Sequence, residues 1–248
     1  MNKRWMNTLA VAGLAMGTAL SSARGGDTQL WLKFFAEGKL PHGFSASVEE
    51  ELRYQHDASE FYDEESFCML KYDVNDWMTI GLGHRVVQER KNKPVYTSKQ
   101  KADGSISYTE VGAGDHYWQN EQRPTLDVTF KTKLDAWGID DRNRIEWRMK
   151  DDGGDDYPRY RNRLRVKSPW KPTPFKLNPY AYTEGYIEDK PGLSGSDLFN
   201  RYNLTAGVSA ELAKNVKSCL YAMMQSDRAS GGGWDRLGVF GIELGVSY

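Results

Sequence analysis

The chain has 248 residues, with 33 basic side chains against 34 acidic ones. That is length enough for one large β-domain, and there is no net charge to draw it to nucleic acid or to an anionic surface. A mean hydropathy of -0.69 excludes a bundle of apolar membrane helices but not a barrel, in which only alternate residues meet lipid. Residues 1–23 carry the marks of a secretory signal: Lys3 and Arg4 lead, Leu9 to Leu20 form the apolar run, and Ser21-Ser22-Ala23 is a small-residue cleavage site. The run falls short of the about 20 apolar residues a span needs, so the mature chain is expected to begin at Arg24.

Residues 24–43 are ambiguous. Leu30, Trp31, Phe34 and Phe35 recur at helical spacing with Lys33 and Glu37 opposite, and so short a window also permits a strand. From Phe44 the period is two. Phe44, Ala46, Val48, Leu52 and Tyr54 alternate with Ser45, Ser47, Glu49, Glu51 and Arg53, with Glu50 breaking the pattern. Cys68, Leu70, Tyr72 and Val74 repeat it, Asn75-Asp76 signals a tight turn, and Met78, Ile80, Leu82 and Val86 follow, interleaved with Gly81, Gly83 and Arg85. Residues 91–122 are too long and polar for an ordinary connection and read as a loop with room for a small hairpin. Leu126, Val128 and Phe130, set against Asp127, Thr129 and Lys131, make the next strand.

The densest patterning lies between Arg142 and Lys167, two strands of one hairpin. Successive strand side chains point to opposite faces, so Arg142, Arg144, Glu146, Arg148, Arg159, Arg161, Arg163, Arg165 and Lys167 share one face. Ile145, Trp147, Met149, Tyr160, Leu164 and Val166 share the other. In an outer-membrane barrel the apolar face meets lipid and the charged face lines a polar lumen. Further strands follow near 175–187, 201–209 and 220–224. The last stretch, Phe240, Ile242, Leu244, Val246 and the terminal Tyr248, is apolar at every second place with Gly241, Glu243, Gly245 and Ser247 between. This resembles the C-terminal assembly signal of bacterial outer-membrane barrels, which would make the barrel-assembly machinery a partner beside membrane lipid.

Ten strands are thus expected over residues 44–248, antiparallel, with both ends and the short turns on the periplasmic side and the longer loops outside. An eleventh strand at 28–40 would carry the N-terminus to the cell surface, so residues 24–43 are expected as a lead-in, helix or plug. Trp77, Trp137 and Trp170 fall at the short turns, where an interfacial aromatic girdle would sit. Cys68 and Cys219 fall on opposite faces of strands that are not neighbours, so both are expected to be unpaired.

With the strands laid out, the chain resembles a bacterial family known only as domain of unknown function 2490, outer-membrane barrels. The matching pieces are Glu51-Leu52-Arg53, Gly81-Leu82-Gly83-His84-Arg85, the alternating run from Arg142 to Arg148, the arginines after it, and Asn200-Arg201 with Gly207. The resemblance implies a fold and a membrane, and no catalytic residues.

Ten strands lie near the width that side chains fill, far from the roughly 16 at which an aqueous channel opens. A turn near Gly154-Asp155 would set Arg148 opposite Arg161, Arg144 opposite Arg165 and Glu146 opposite Arg163. Like charges directly across a ladder destabilise, so the remaining guanidiniums require carboxylates from other strands: Glu49, Glu51, Asp127, Glu184 and Glu243. Three readings follow. The first is a structural or binding barrel with a salt-bridged lumen. The second is a narrow conduit or site for an anionic solute or acidic polysaccharide, with Arg161 the expected contact. The third is a hydrolase at the outer rim, where His56, Asp57 and Ser59 cluster. No cofactor motif and no metal-type spacing occurs; Asp151, Asp152, Asp155 and Asp156 fit no calcium loop.

Overall fold

The computed structural model describes residues 27–100, 106–151, 153–170, 173–174, 176–193, 195–229 and 232–248; the expected signal segment lies outside these. The described residues form eleven strands: β1 Thr28–Lys39, β2 Phe44–Gln55, β3 Glu60–Asn75, β4 Met78–Gln100, β5 Ile106–Leu134, β6 Trp137–Lys150, β7 Tyr157–Lys167, β8 Asn178–Glu188, β9 Phe199–Ala213, β10 Val216–Arg228 and β11 Trp234–Ser247. They close into one barrel in sequence order, with β1 hydrogen-bonded to both β2 and β11. Every neighbouring pair is antiparallel except β1 and β11, which run parallel from Thr28↔Gly238 to Glu37↔Ser247. No described helix is long and apolar enough to cross a membrane.

The ten strands expected from Phe44 onward are β2 to β11. Residues 28–39, expected as a helix, plug or lead-in, instead form β1 and close the barrel. The cause is visible in its side chains. Leu30, Leu32, Phe34 and Ala36 alternate with Gln29, Trp31, Lys33, Phe35 and Glu37, the set that lines the lumen. Two lumen positions hold aromatics, so both faces look apolar and the period of two is hidden. Trp31 is covered by the Arg53 guanidinium 4.0 Å from the ring centroid, and Phe35 lies on Gly245 of β11. Without β1, strands β2 and β11 would each present unpaired backbone groups to lipid, which closure removes.

Residues 91–122 also differ from expectation. The β4–β5 ladder continues to Gln100↔Ile106, so the hairpin runs well beyond the 9–11 residues that cross a bilayer.

At one end of the barrel lie the short links 76–77, 135–136 and 214–215 and the C-terminus. At the other lie Thr28, the link 56–59 and the strand ends at Gln100, Ile106, Lys150, Tyr157, Glu188, Phe199, Arg228 and Trp234. In outer-membrane barrels the first, the turn end, faces the periplasm and the second, the loop end, faces outward. Each end carries aromatics. Trp77 stacks on Phe130 and Trp137 meets Trp170 at the turn end, while Trp118 meets Phe61 and Trp234 meets Phe199 and Tyr202 at the loop end.

The barrel is inverted relative to a water-soluble domain. Leu82 is 65% exposed and Val48 57%, both on the outer face, whereas the described residues with no exposure at all are polar, the carboxylate Glu146 and Ser226. Cys68 lies exposed on the outer face and Cys219 lines the lumen; both are free.

Glycines inside the wall let aromatic rings lie flat against a neighbouring strand. A Cβ on Gly241 would stand 1.8 Å from the Tyr221 ring, and Tyr221 is itself buried in the lumen cluster with Met223 and Val239. Gly241→Val therefore has to expel that ring. Overpacking ordinarily costs about 1–3 kcal/mol, and here the clash is with the body of a buried ring and not the end of a flexible chain, so the expected outcome is loss of the compact, heat-modifiable band on an unheated gel. A normal band would show that the ring can be displaced without loss of the barrel.

Candidate functional site: the charged lumen

Inside the barrel is a cavity of about 1020 Å³ lined mainly by polar and charged side chains, among them the eight cations expected from the β6–β7 hairpin. Each reaches the lumen because it holds the inward parity of a strand.

Each partner on β7 lies four residues earlier than expected. Arg142 stands opposite Arg163, Arg144 opposite Arg161, Glu146 opposite Arg159, and Arg148 opposite Tyr157. The pairing is symmetric about a point two residues nearer β6 than a turn at Gly154-Asp155 would give. Two like-charged pairs therefore face each other directly, and both are relieved from the flanking strands. Asp127 on β5 accepts from the Nε and Nη2 of Arg144 at 2.9 and 2.7 Å. Glu184 on β8 accepts from Arg142 at 2.6 Å and from the Nε of Arg161 at 3.1 Å.

Glu146 is the hub. Its two oxygens accept from Arg159 Nε at 2.8 Å and from Arg161 Nη1 at 2.9 Å, and Arg144 stands 3.8 Å away. Toward the loop end, Arg148 pairs with Glu121 and, at 2.7 Å, with Glu188. Arg123 donates to Glu121 at 2.8 and 3.0 Å and to Glu65 at 3.3 Å. Arg53 reaches Glu51, Asp63 and Glu65, and Arg85 also reaches Glu65. Aromatic rings support the guanidinium planes: Arg85 and Arg144 lie over Phe67, and Arg159 and Arg161 over Tyr186. Such contacts gain strength when desolvated.

Of the acidic partners expected for the hairpin, Asp127, Glu146 and Glu184 serve it. Glu49, Glu51 and Glu243 do not; they gather round Lys33 of β1 at 3.9, 2.9 and 3.8 Å. The reason is the unexpected strand, because β1 sits between β2 and β11 and puts an ammonium between their carboxylates. Their place is taken by Glu121, Asp140 and Glu188. Glu121 fell within the stretch read as loop, and Asp140 lies ahead of the hairpin as read, which began at Arg142. The unbroken parity of Glu121, Arg123, Thr125 and Asp127 was the signal for the first.

The charge balance along the hairpin is uneven. Arg142, Arg144, Arg148, Arg159 and Arg161 meet five carboxylates, Glu121, Asp127, Glu146, Glu184 and Glu188. At the turn end, Arg163, Arg165 and Lys167 share Asp140 alone among the described residues, at 3.5, 2.9 and 3.1 Å.

The rim cluster does not assemble as a triad. Ser59 donates its hydroxyl hydrogen to the backbone carbonyl of His56 at 2.6 Å, the His56 Nδ1 pairs with Glu60 at 2.6 Å, and Asp57 uses its backbone N–H on Asp27. Among the described residues no three His, Cys, Asp or Glu side chains gather as a metal site.

A closed β-barrel with an apolar outer face, aromatic belts at both ends and a charged lumen is an outer-membrane barrel. The model of the family described as "Protein of unknown function (DUF2490)" matches residues 28–236, and the chain belongs to that family. No curated protein matches. Among solved structures, the chain is similar to the β-domain of the Bordetella autotransporter BrkA, at 14% identity, 80% coverage of this chain, 82% of that one, and a TM-score of 0.43.

Proposed function

We propose that this outer-membrane barrel is a closed structural or binding protein whose lumen is braced by ion pairs, and that it is neither a general pore nor an enzyme. The observation that carries this reading is the matched middle of the lumen, where five guanidiniums meet five carboxylates around a Glu146 with no exposure. Eleven strands give a bore near the width that side chains fill. A conduit for an anionic solute or acidic polysaccharide would have to break this layer, at several kcal/mol for each buried pair parted. The rim cluster offers no activated hydroxyl to support a hydrolase.

Export through a cleaved signal at residues 1–23 and insertion by the barrel-assembly machinery complete the proposal. The second is supported by the alternation of Phe240, Ile242, Leu244 and Val246 on the outer face of β11, the strand that closes the barrel against β1.

The test is conductance. Purified full-length protein added to planar bilayers should give no regular current steps, and Glu146→Gln should open none. Uniform steps in the parent protein, blocked by polyanions, would replace this reading with the conduit.

A further inference from the structure

We propose that the turn-end mouth of the lumen binds a doubly charged phosphate group, held by Arg163, Arg165 and Lys167. These three cations occupy alternate positions of β7, so they project into the lumen about 7 Å apart along the strand. Asp140, directly across from Arg165, is the single described carboxylate within 4 Å of them; Glu184 stands across from Arg163 on β8 but spends its bonds on Arg142 and Arg161. The triplet thus carries a surplus of two charges where the rest of the hairpin is balanced.

Arg163 is the least satisfied of them. Its Nη2 stands 3.5 Å from Asp140 and its buried Nε has no hydrogen-bond partner. Arg142, directly opposite, also has a buried Nε without a partner. An unpaired buried donor costs about 1–3 kcal/mol, and two of them facing each other among surplus cations describe a site built for an acceptor. The Tyr182 ring lies 5.5 Å from the Arg163 guanidinium and limits where the fork can point.

The ligand class follows from charge and shape. A carboxylate would neutralise half the surplus, whereas a phosphate monoester carries about -1.5 to -2 at neutral pH and three strong acceptor oxygens. Arg forks bind it bidentately and a Lys ammonium caps the remaining oxygen. Side-chain exposure rises from 17% at Arg163 to 44% at Lys167, so the group enters from the turn end with Arg163 deepest. From the closed-lumen reading this proposal takes only that the mouth is a compartment entered from one end; bilayer conductance judges that reading, and phosphate response judges this one.

The probe is inorganic phosphate, titrated into full-length protein in zwitterionic micelles against chloride at equal ionic strength. A second arm replaces it with phosphatidic acid in phosphatidylcholine micelles. The melting temperature of the parent should rise by several degrees, as for any ligand held by the folded state. Arg163→Gln should melt no lower than the parent and bind about tenfold more weakly, a loss of one good charged contact. Lys167→Gln, nearer the mouth, provides the same reading should Arg163→Gln fold poorly. Lys176→Gln, a turn-end cation that has its own carboxylate in Glu211, should respond like the parent. A response to inorganic phosphate identifies a soluble phosphate, and a response to phosphatidic acid alone identifies a lipid headgroup. No response beyond chloride in either arm, or an equal response in Arg163→Gln and Lys167→Gln, overturns the proposal.

Discussion

Glu146→Gln is expected to destabilise the barrel by about 3–5 kcal/mol, the usual result of removing one partner from a buried ion-pair set. The substitution keeps the shape of the side chain, so no cavity is made and the change is electrical. Arg159 and Arg161 each lose their shortest carboxylate contact, and Arg144 loses one of two. What remains is one carboxylate fewer for the same five cations, in a layer where Glu146 and its neighbours have little or no access to water. Urea titration in micelles, read by the heat-modifiable band, measures the loss. The same measurement on Arg163→Gln should show no loss, because removing a surplus cation relieves repulsion. Sequence reading alone gives the opposite result for Arg163, since its register paired that residue with Glu146. Equal destabilisation by the two variants would mean that the hairpin is balanced along its whole length and that the turn-end surplus does not exist in solution.

Leu82→Arg is expected to cost about 2–4 kcal/mol, the range for Arg at the midplane of a barrel's lipid face. Leu82 lies on β4 between Leu70 on β3 and Leu126 on β5, and its 65% exposure is exposure to lipid. The guanidinium has no acidic neighbour at that level and can escape only by snorkelling. Phe240→Asp on β11 tests the same face at the closing seam, with a smaller expected cost for the acidic residue and an added effect on assembly. Folding yield into preformed vesicles, followed by gel mobility, reports both. Unchanged yield for Leu82→Arg would mean that this face meets water, and the barrel would then not span a membrane.

Periodicity made the fold legible in the sequence because the two solvents of a membrane barrel impose opposite chemistry on alternate residues. From Phe44 onward lipid demands apolar side chains outside and the lumen tolerates charge, so the strands β2 to β11 and the inward parity of Arg142 to Lys167 could be read directly. Where that contrast weakens the reading failed. In β1, Trp31 and Phe35 face inward and erase the alternation, and nothing local says that this segment runs parallel to the last strand. Only the closing of the sheet decides that, since two open edges must find a partner in lipid. The pairings inside the lumen were equally out of reach. A two-residue shift in the centre of the β6–β7 pairing moves Glu146 from Arg163 to Arg159, and the choice of which carboxylate meets which guanidinium depends on strands far apart in the chain but adjacent round the barrel. Parity along a strand is a local property fixed by backbone geometry, whereas charge balance across a lumen is a property of the closed circle.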